Sequence, residues 1–352
     1  MNEYSTYLGI DLGDKWNYCC LLDQEGEVVR AFRVRCRSKE LGELFEEIEV
    51  SVVAIEACTH SPWISRLAEA AGHKVLVGNP RKLRAIYDTE YKDDARDAEM
   101  LARLARFEPR LLYPIQHRVE QAQTDMVMLK ARHALVSSRT KLINAVRGLL
   151  KSFAIRAEPC STECFHKRVL ALIPENLRGA LFPLLETIAR LAAGTRAYDK
   201  AIEQLSEERY ASEMELLRSI PGVGPLTSLC FVLTLEEPGR IKRSRDVGAY
   251  LGLVPKRDQS GEVDKQLRIT KAGDKYLRQL LVSSSHNILG KNRPDTALRR
   301  WGLKLAERGG KNAKKRAVVA VARKLSVLLH RLWVTGEFYR AFPGEEFVMG
   351  VE

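Results

Sequence analysis

The order of short segments in the first eighty of 352 residues constrains this chain more than any other feature. Residues 7–11 (Tyr-Leu-Gly-Ile-Asp) form a short apolar run that closes on an acid. Residues 17–22 form a second extended run, and Glu25-Gly26 supplies a turn before a third at 28–34. Three strands with tight connections predict an antiparallel meander. Ser38 is expected to cap a helix running to about Ile48, with Leu41, Leu44, Phe45 and Ile48 on one face. Val52-Val53-Ala54-Ile55 is continuously apolar, as expected of a strand covered on both faces. Pro62 opens a second helix through Trp63, Ile64, Leu67 and Ala70, and residues 74–77 give a fifth strand ended by Gly78-Asn79-Pro80. The order β-β-β-α-β-α-β predicts an α/β layer at the N-terminus.

Beyond it the texture is helical. Residues 94–107 read as one helix, and 118–155 contain no Pro and no Gly before Gly148. Met126, Leu129, Leu135, Leu142, Ile143, Val146 and Leu150 fall mainly at helical spacing. A second tract runs from Pro183 to Tyr210, so the two predict a helical hairpin or coiled-coil arm, an element that often joins copies of a chain. Residues 156–182, with Pro159 and Pro174, read as an irregular connector, and from Met214 onward short helices alternate with Gly-containing loops. The expected fold class is α/β plus α. Its divisions are 1–112, an arm and connector at 113–212, a mainly helical part at 213–340 and a tail at 341–352.

Charge divides the chain differently from what the average suggests. The formal net charge is +12, yet residues 240–330 hold 23 Lys and Arg against 7 Asp and Glu, a surplus of 16. The remainder therefore carries −4. A basic third beside a mildly acidic remainder points to a polyanion-binding region attached to a different activity. The apolar share of 45% excludes disorder as the dominant state, and no run of 18 apolar residues suggests a membrane span. Residues 1–7 do not form a basic-then-apolar leader, and the seven cysteines are odd in number and irregular in spacing. Both features predict a cytoplasmic protein with reduced thiols. Cys160, Cys164 and His166 lack a second ligand pair, so a zinc site is not expected there.

Four acids stand where chemistry could use them. Asp11 closes the first strand, Glu56 follows the apolar strand 52–55, and Asp94 and Asp97 open the helix at 94–107, three apart and so on one face. Capping and the helix dipole account for Asp94 and Asp97 as well as metal binding does, but leave Asp11 and Glu56 unexplained. Together the four could cradle two cations about 4 Å apart, the arrangement used on phosphodiesters. Pro221-Gly222-Val223-Gly224-Pro225 reads either as a helix-hairpin-helix that holds a phosphate or as a plain tight turn. Ser260-Gly261 lies among Lys256, Arg257, Arg268, Lys271, Lys275 and Arg278. Taken alone it is a Ser-Gly turn, or else a hydroxyl held among cations that would favour attack on a phosphodiester. Lys311, Lys314, Lys315 and Arg316 precede an apolar helix and are expected to contact phosphates.

The order of the N-terminal elements is similar to that of the ribonuclease H-like fold. From Tyr7 to Trp333 the motifs resemble the DEDD transposases of bacterial insertion sequences, the bridge-RNA-guided recombinases related to pilin-gene DNA invertases. The resemblance rests on the four acids, a helical arm, Pro-Gly-Val-Gly-Pro, Gly252-Leu253-Val254-Pro255 and Ser260. It implies a RuvC-like domain, a coiled-coil insertion and a small transposase domain that carries a serine. It further implies that Asp11, Glu56, Asp94 and Asp97 bind magnesium and that Ser260 forms a transient covalent link to DNA. The active site would combine acids of one protomer with the serine of another, in a tetramer (a dimer of dimers) gathering donor and target DNA. A structured bridge RNA would supply sequence recognition. Asp93 stands where the family usually has Thr or Asn, and Glu262 and Asp264 stand where basic residues are commoner.

Three rivals remain open at this level. An actin- or sugar-kinase-like phosphotransferase would share Gly9-Ile10-Asp11-Leu12-Gly13, but Asp14 replaces the usual hydroxyl and no second phosphate loop follows residue 200. A structure-specific nuclease would use the acids alone. A non-catalytic nucleic-acid-binding protein would use neither the acids nor the serine.

Overall fold

The computed structural model describes residues 4–83, 93–260 and 263–342, which divide into two compact units, residues 1–118 and 119–352. Glu262 and the tail from 343 onward lie outside the described residues.

The first unit contains β1 (Tyr7–Asp11), β2 (Trp16–Leu22), β3 (Val28–Arg35), α1 (Ser38–Glu47), β4 (Val52–Glu56), α2 (Ser61–Ala70), β5 (Lys74–Gly78), α3 (Pro80–Leu83) and α4 (Asp94–Phe107). Its strands form one sheet in the order β3-β2-β1-β4-β5, with β1–β2 and β2–β3 antiparallel and β1–β4 and β4–β5 parallel. The predicted elements are all present. One detail differs: α1 starts at Ser38 itself, and Arg37 precedes it without a side-chain cap.

Alternation along the strands sorts the side chains onto two faces. Leu8, Ile10, Val53 and Ile55 pack with Leu41, Phe45 and Ile64 of α1 and α2. Tyr7, Val52, Ala54, Cys20 and Leu22 pack with Ala98, Leu101, Ala102 and Ala105 of α4. The small residues of α4 let its backbone settle onto β1. At Gly9 a Cβ would overlap the Ala98 carbonyl and crowd Ala102, so only glycine permits this approach.

The second unit begins with α5 (Glu120–Lys151), α6 (Phe165–Leu170) and α7 (Glu175–Arg209), followed by α8 (Ala211–Arg218), α9 (Pro225–Leu235) and α10 (Val247–Tyr250). A hairpin, β6 (Pro255–Ser260) and β7 (Val263–Ile269), precedes α11 (Lys275–Ile288), α12 (Ala297–Ala306) and α13 (Ala313–Thr335). α5 packs along α7. Their far ends close over a core of Ile143, Val146, Leu150, Phe165, Leu181 and Ile188, while Met126, Leu129, Ile202 and Leu205 join the core of α9, α11 and α13.

Two expectations are corrected here. α7 starts at Glu175, not Pro183, and Pro183 lies inside it; the supposed connector is therefore partly helical. The missing proline N–H costs one bond, which packing along a 35-residue helix outweighs. Pro255–Ser260 and Val263–Ile269 pair as two antiparallel strands where a loop was expected. Their charged residues hide the alternation by which a strand is recognised. No helix among the described residues is long and apolar enough to cross a membrane.

Candidate active site

Asp11 and Glu56 each lie one residue beyond the parallel pair Ile10–Ile55. Strand parity places both on the face that carries Gly9 and Ala54, the face covered by α4. α4 is the helix whose first turn carries Asp94 and Asp97. The sheet edge and the helix start therefore bring all four acids to one face. Carboxylate oxygens of Asp11, Asp94 and Asp97 lie within 4.8 Å of one another. Asp94 is exposed, and Asp11 and Asp97 are half-buried. Glu56, also half-buried, is not a member of this closest group.

The helix start shows which acid caps α4. Asp93, not Asp94, is the N-cap: its side chain accepts from the Ala95 amide at 3.1 Å, and its carbonyl accepts from the Asp97 amide at 3.0 Å. Capping is thus satisfied one residue earlier, and Asp94 and Asp97 are left facing Asp11. An all-oxygen donor set of carboxylates suits a hard divalent cation, so the residues present fit such a metal.

Sequence reasoning missed a polar group at the same edge. Trp63 Nε1 donates to His60 Nδ1 at 3.4 Å, which leaves His60 Nε2 to donate to Asp14 at 3.0 Å. The only sequence signal was the proximity of Asp14 to Asp11 and of His60 to Glu56.

In the second unit the expected cations separate into groups. Arg268, Lys271, Lys315 and Arg316 line one groove of about 1230 Å³, with Leu253, Ile269, Trp301 and Val319 among its apolar residues. Arg323 and Lys324, which sequence reasoning did not single out, also line it, and no acid among the described residues does. Lys324 Nζ lies 4.4 Å from the centre of the Trp301 ring. Lys256, Arg257, Lys275, Lys311 and Lys314 are exposed but do not line it. Arg278 is engaged differently: its guanidinium donates to the carbonyls of Leu251, Ala272, Gly273 and Asp274. It ties the loop after α10 to the start of α11. At Gly252 (φ +68°) a Cβ would overlap the Ala272 backbone, so the same contact requires glycine.

Ser260 closes β6 and pairs in register with Val263. The turn at Gly222–Gly224 borders a cleft that also contains Asp199 and Glu203. Asp199 is paired with Arg132, and both readings of the turn stay open.

Comparison with known proteins finds transposases along most of the chain. A family described as Transposase (DEDD_Tnp_IS110) matches residues 8–155, and the Transposase IS116/IS110/IS902 family matches residues 214–299. The protein y4pF/y4sB of Sinorhizobium fredii, named as a transposase, is 31% identical over 89% of this chain and 80% of its own length. The transposase for insertion sequence element IS1111A of Coxiella burnetii is 30% identical, covering 95% and 91%. A family 20 transposase of Pseudomonas aeruginosa is 27% identical, covering 96% and 98%. The chain belongs to the DEDD transposase family of insertion sequences. It is a DNA transposase.

Proposed function

We propose that the first unit is a RuvC-like, ribonuclease H-like domain whose Asp11, Glu56, Asp94 and Asp97 hold magnesium for DNA strand cleavage and transfer. The observation that carries this reading is the convergence of Asp11, Asp94 and Asp97 on one point of the sheet edge, with Glu56 on the same face. The strand order β3-β2-β1-β4-β5 supports the fold assignment. A divalent cation there would neutralise charge growing on the phosphate oxygens. The carboxylates would fix its position, with β1, β4 and the first turn of α4 as rigid mounts.

Ser260 serves as the nucleophile in this reading. Its Oγ forms a bond to phosphorus while one backbone P–O ester bond breaks, and the displaced sugar oxygen takes up the proton that the serine loses. Strand joining runs the exchange in reverse with a different sugar oxygen. The family resemblance adds that acids and serine come from different protomers of a tetramer built partly through the α5–α7 arm. It also adds that a bridge RNA selects donor and target DNA, and that the enzyme works in the cytoplasm on the nucleoid. The cluster of cations lining the groove around Arg268, Lys315 and Arg316 supports backbone contact with either polymer.

Asp11→Ala or Asp97→Ala should abolish strand transfer while the chain keeps its melting temperature; full activity in either variant would refute the metal-site reading. On a nicked suicide substrate the wild type should leave a protein–DNA adduct that Ser260→Ala lacks. An adduct that persists in Ser260→Ala, or simple hydrolysis without any adduct, rules out serine as the nucleophile.

A further inference from the structure

The antiparallel ladder extends the row of Asp11 outward across the sheet. Asp11 pairs with Tyr18, and Tyr18 with Arg33; in the next row Trp16 pairs with Arg35. Tyr18 packs on the α4 side, whereas Phe32, Val34 and Cys36 pack on the α1 side. Directly paired residues share a face, so Trp16, Tyr18, Arg33 and Arg35 stand on the same face as the acids. α4 covers β1, β2 and β4 and stops short of the edge strand β3, whose Val29, Ala31, Arg33 and Arg35 are exposed.

The arginines on the two faces of this edge are treated differently. Arg30 points to the α1 side and is paired with Glu47 at 3.1 Å. Arg33 and Arg35 form no ion pair with any carboxylate among the described residues. Instead their guanidiniums lie 4.7 and 5.1 Å from the centre of one ring, that of Trp16, which is 36% exposed. Two like charges held at one aromatic ring repel each other, and an anion placed beside them relieves that repulsion. Two strand spacings, about 10 Å, separate this patch from Asp11, or roughly three nucleotide steps of DNA.

We propose that Trp16, Arg33 and Arg35 form a DNA-strand contact that holds phosphates of the strand presented to the acid cluster. The proposal rests on the acids being the cleavage site and adds a guiding track within the same unit. It gives the unit that carries the acids its own grip on DNA, separate from the basic groove of the second unit. Arginine suits the role because its planar fork both stacks on the indole and engages phosphate oxygens. Exposed charges on an edge strand also block sheet-to-sheet pairing, and the test must separate that role from DNA contact.

The test uses the full chain in EDTA, so that catalysis cannot contribute, with a 30-base-pair duplex over 50–200 mM salt. For Arg33→Gln/Arg35→Gln the slope of log affinity against log salt should become shallower by about 1.8, two phosphates at about 0.9 each. Photo-crosslinking wild type to DNA carrying 5-iododeoxyuridine should label the tryptic peptide 16–30, which holds Trp16. An unchanged slope overturns the proposal, as does labelling confined to residues 240–330. A slope change seen only with an RNA of the same sequence overturns the assignment to DNA. Self-association of the double variant with unaltered DNA binding assigns the arginines to edge protection and overturns the proposal too. Because these readouts need no metal, loss of the patch and failure of the acid site are distinguishable.

Discussion

Gly9 sets how near α4 comes to β1. Gly9→Ala forces the Ala98 carbonyl away and moves Asp94 and Asp97 off Asp11. Overpacking of this kind costs about 1–3 kcal/mol. Chemical denaturation should show that loss, with strand transfer falling further than stability alone explains. Asp93 is separable from its neighbours. Asp93→Ala removes the cap to the Ala95 amide and should lower stability by about 1 kcal/mol. A comparison of thermal melts with strand-transfer rates should show Asp93→Ala melting lower but active, and Asp97→Asn folded but inactive.

At the scale of elements, the α5–α7 pair is joined by Arg132–Asp199, by Asp125–Arg209 and by a clamp at its far end. Glu163, in the segment between the helices, accepts from Arg139, whose side chain is only 7% exposed, and from Arg196 at 2.8 Å. Burial raises the Glu163 pKa, but the hydrogen bonds and charges of the two arginines outweigh it and hold the carboxyl below its ordinary range. A carboxyl depressed in the folded state contributes stability that is fully present above its unfolded pKa, about 4.3, and is lost as pH falls through the lower folded value. Melting followed by circular dichroism should therefore find Glu163→Gln less stable than wild type at pH 7. The difference should shrink as pH drops below about 4.5. A gap that stays constant to pH 3 would mean that the clamp does not titrate. The loop after α10 is tied to the start of α11 by a comparable device, the guanidinium of Arg278 among four carbonyls.

Across the whole molecule, charge is divided between a basic stretch at 240–330 and a mildly acidic remainder. Neutralising Lys315, Arg316 and Arg323 together, three of the groove cations, should flatten the salt dependence of duplex binding by about 2.7 at 0.9 per phosphate. The melting temperature should change little, since all three are at least partly exposed. A fluorescence-anisotropy titration checks it, and an unchanged slope would show that the groove does not hold the backbone.

Read alone, the sequence determined the strand and helix order of the first unit, the helical character of the rest and the four acids as candidates. Each of these is a short-range property: alternation, helical spacing and an acid at a strand end are visible within a few residues. Family membership was legible for the same reason, since its motifs are local strings such as Gly-Ile-Asp and Gly-Leu-Val-Pro. What separates Asp93 from Asp94, gathers Lys271 and Arg323 into one groove, and turns Arg278 inward is long-range packing, for which local spacing gives no sign. The register of β1 with β2 and of β2 with β3 likewise decides that Trp16, Arg33 and Arg35 share a face with Asp11. A slip of one residue would send them to the other face, and only the tertiary structure fixes that choice.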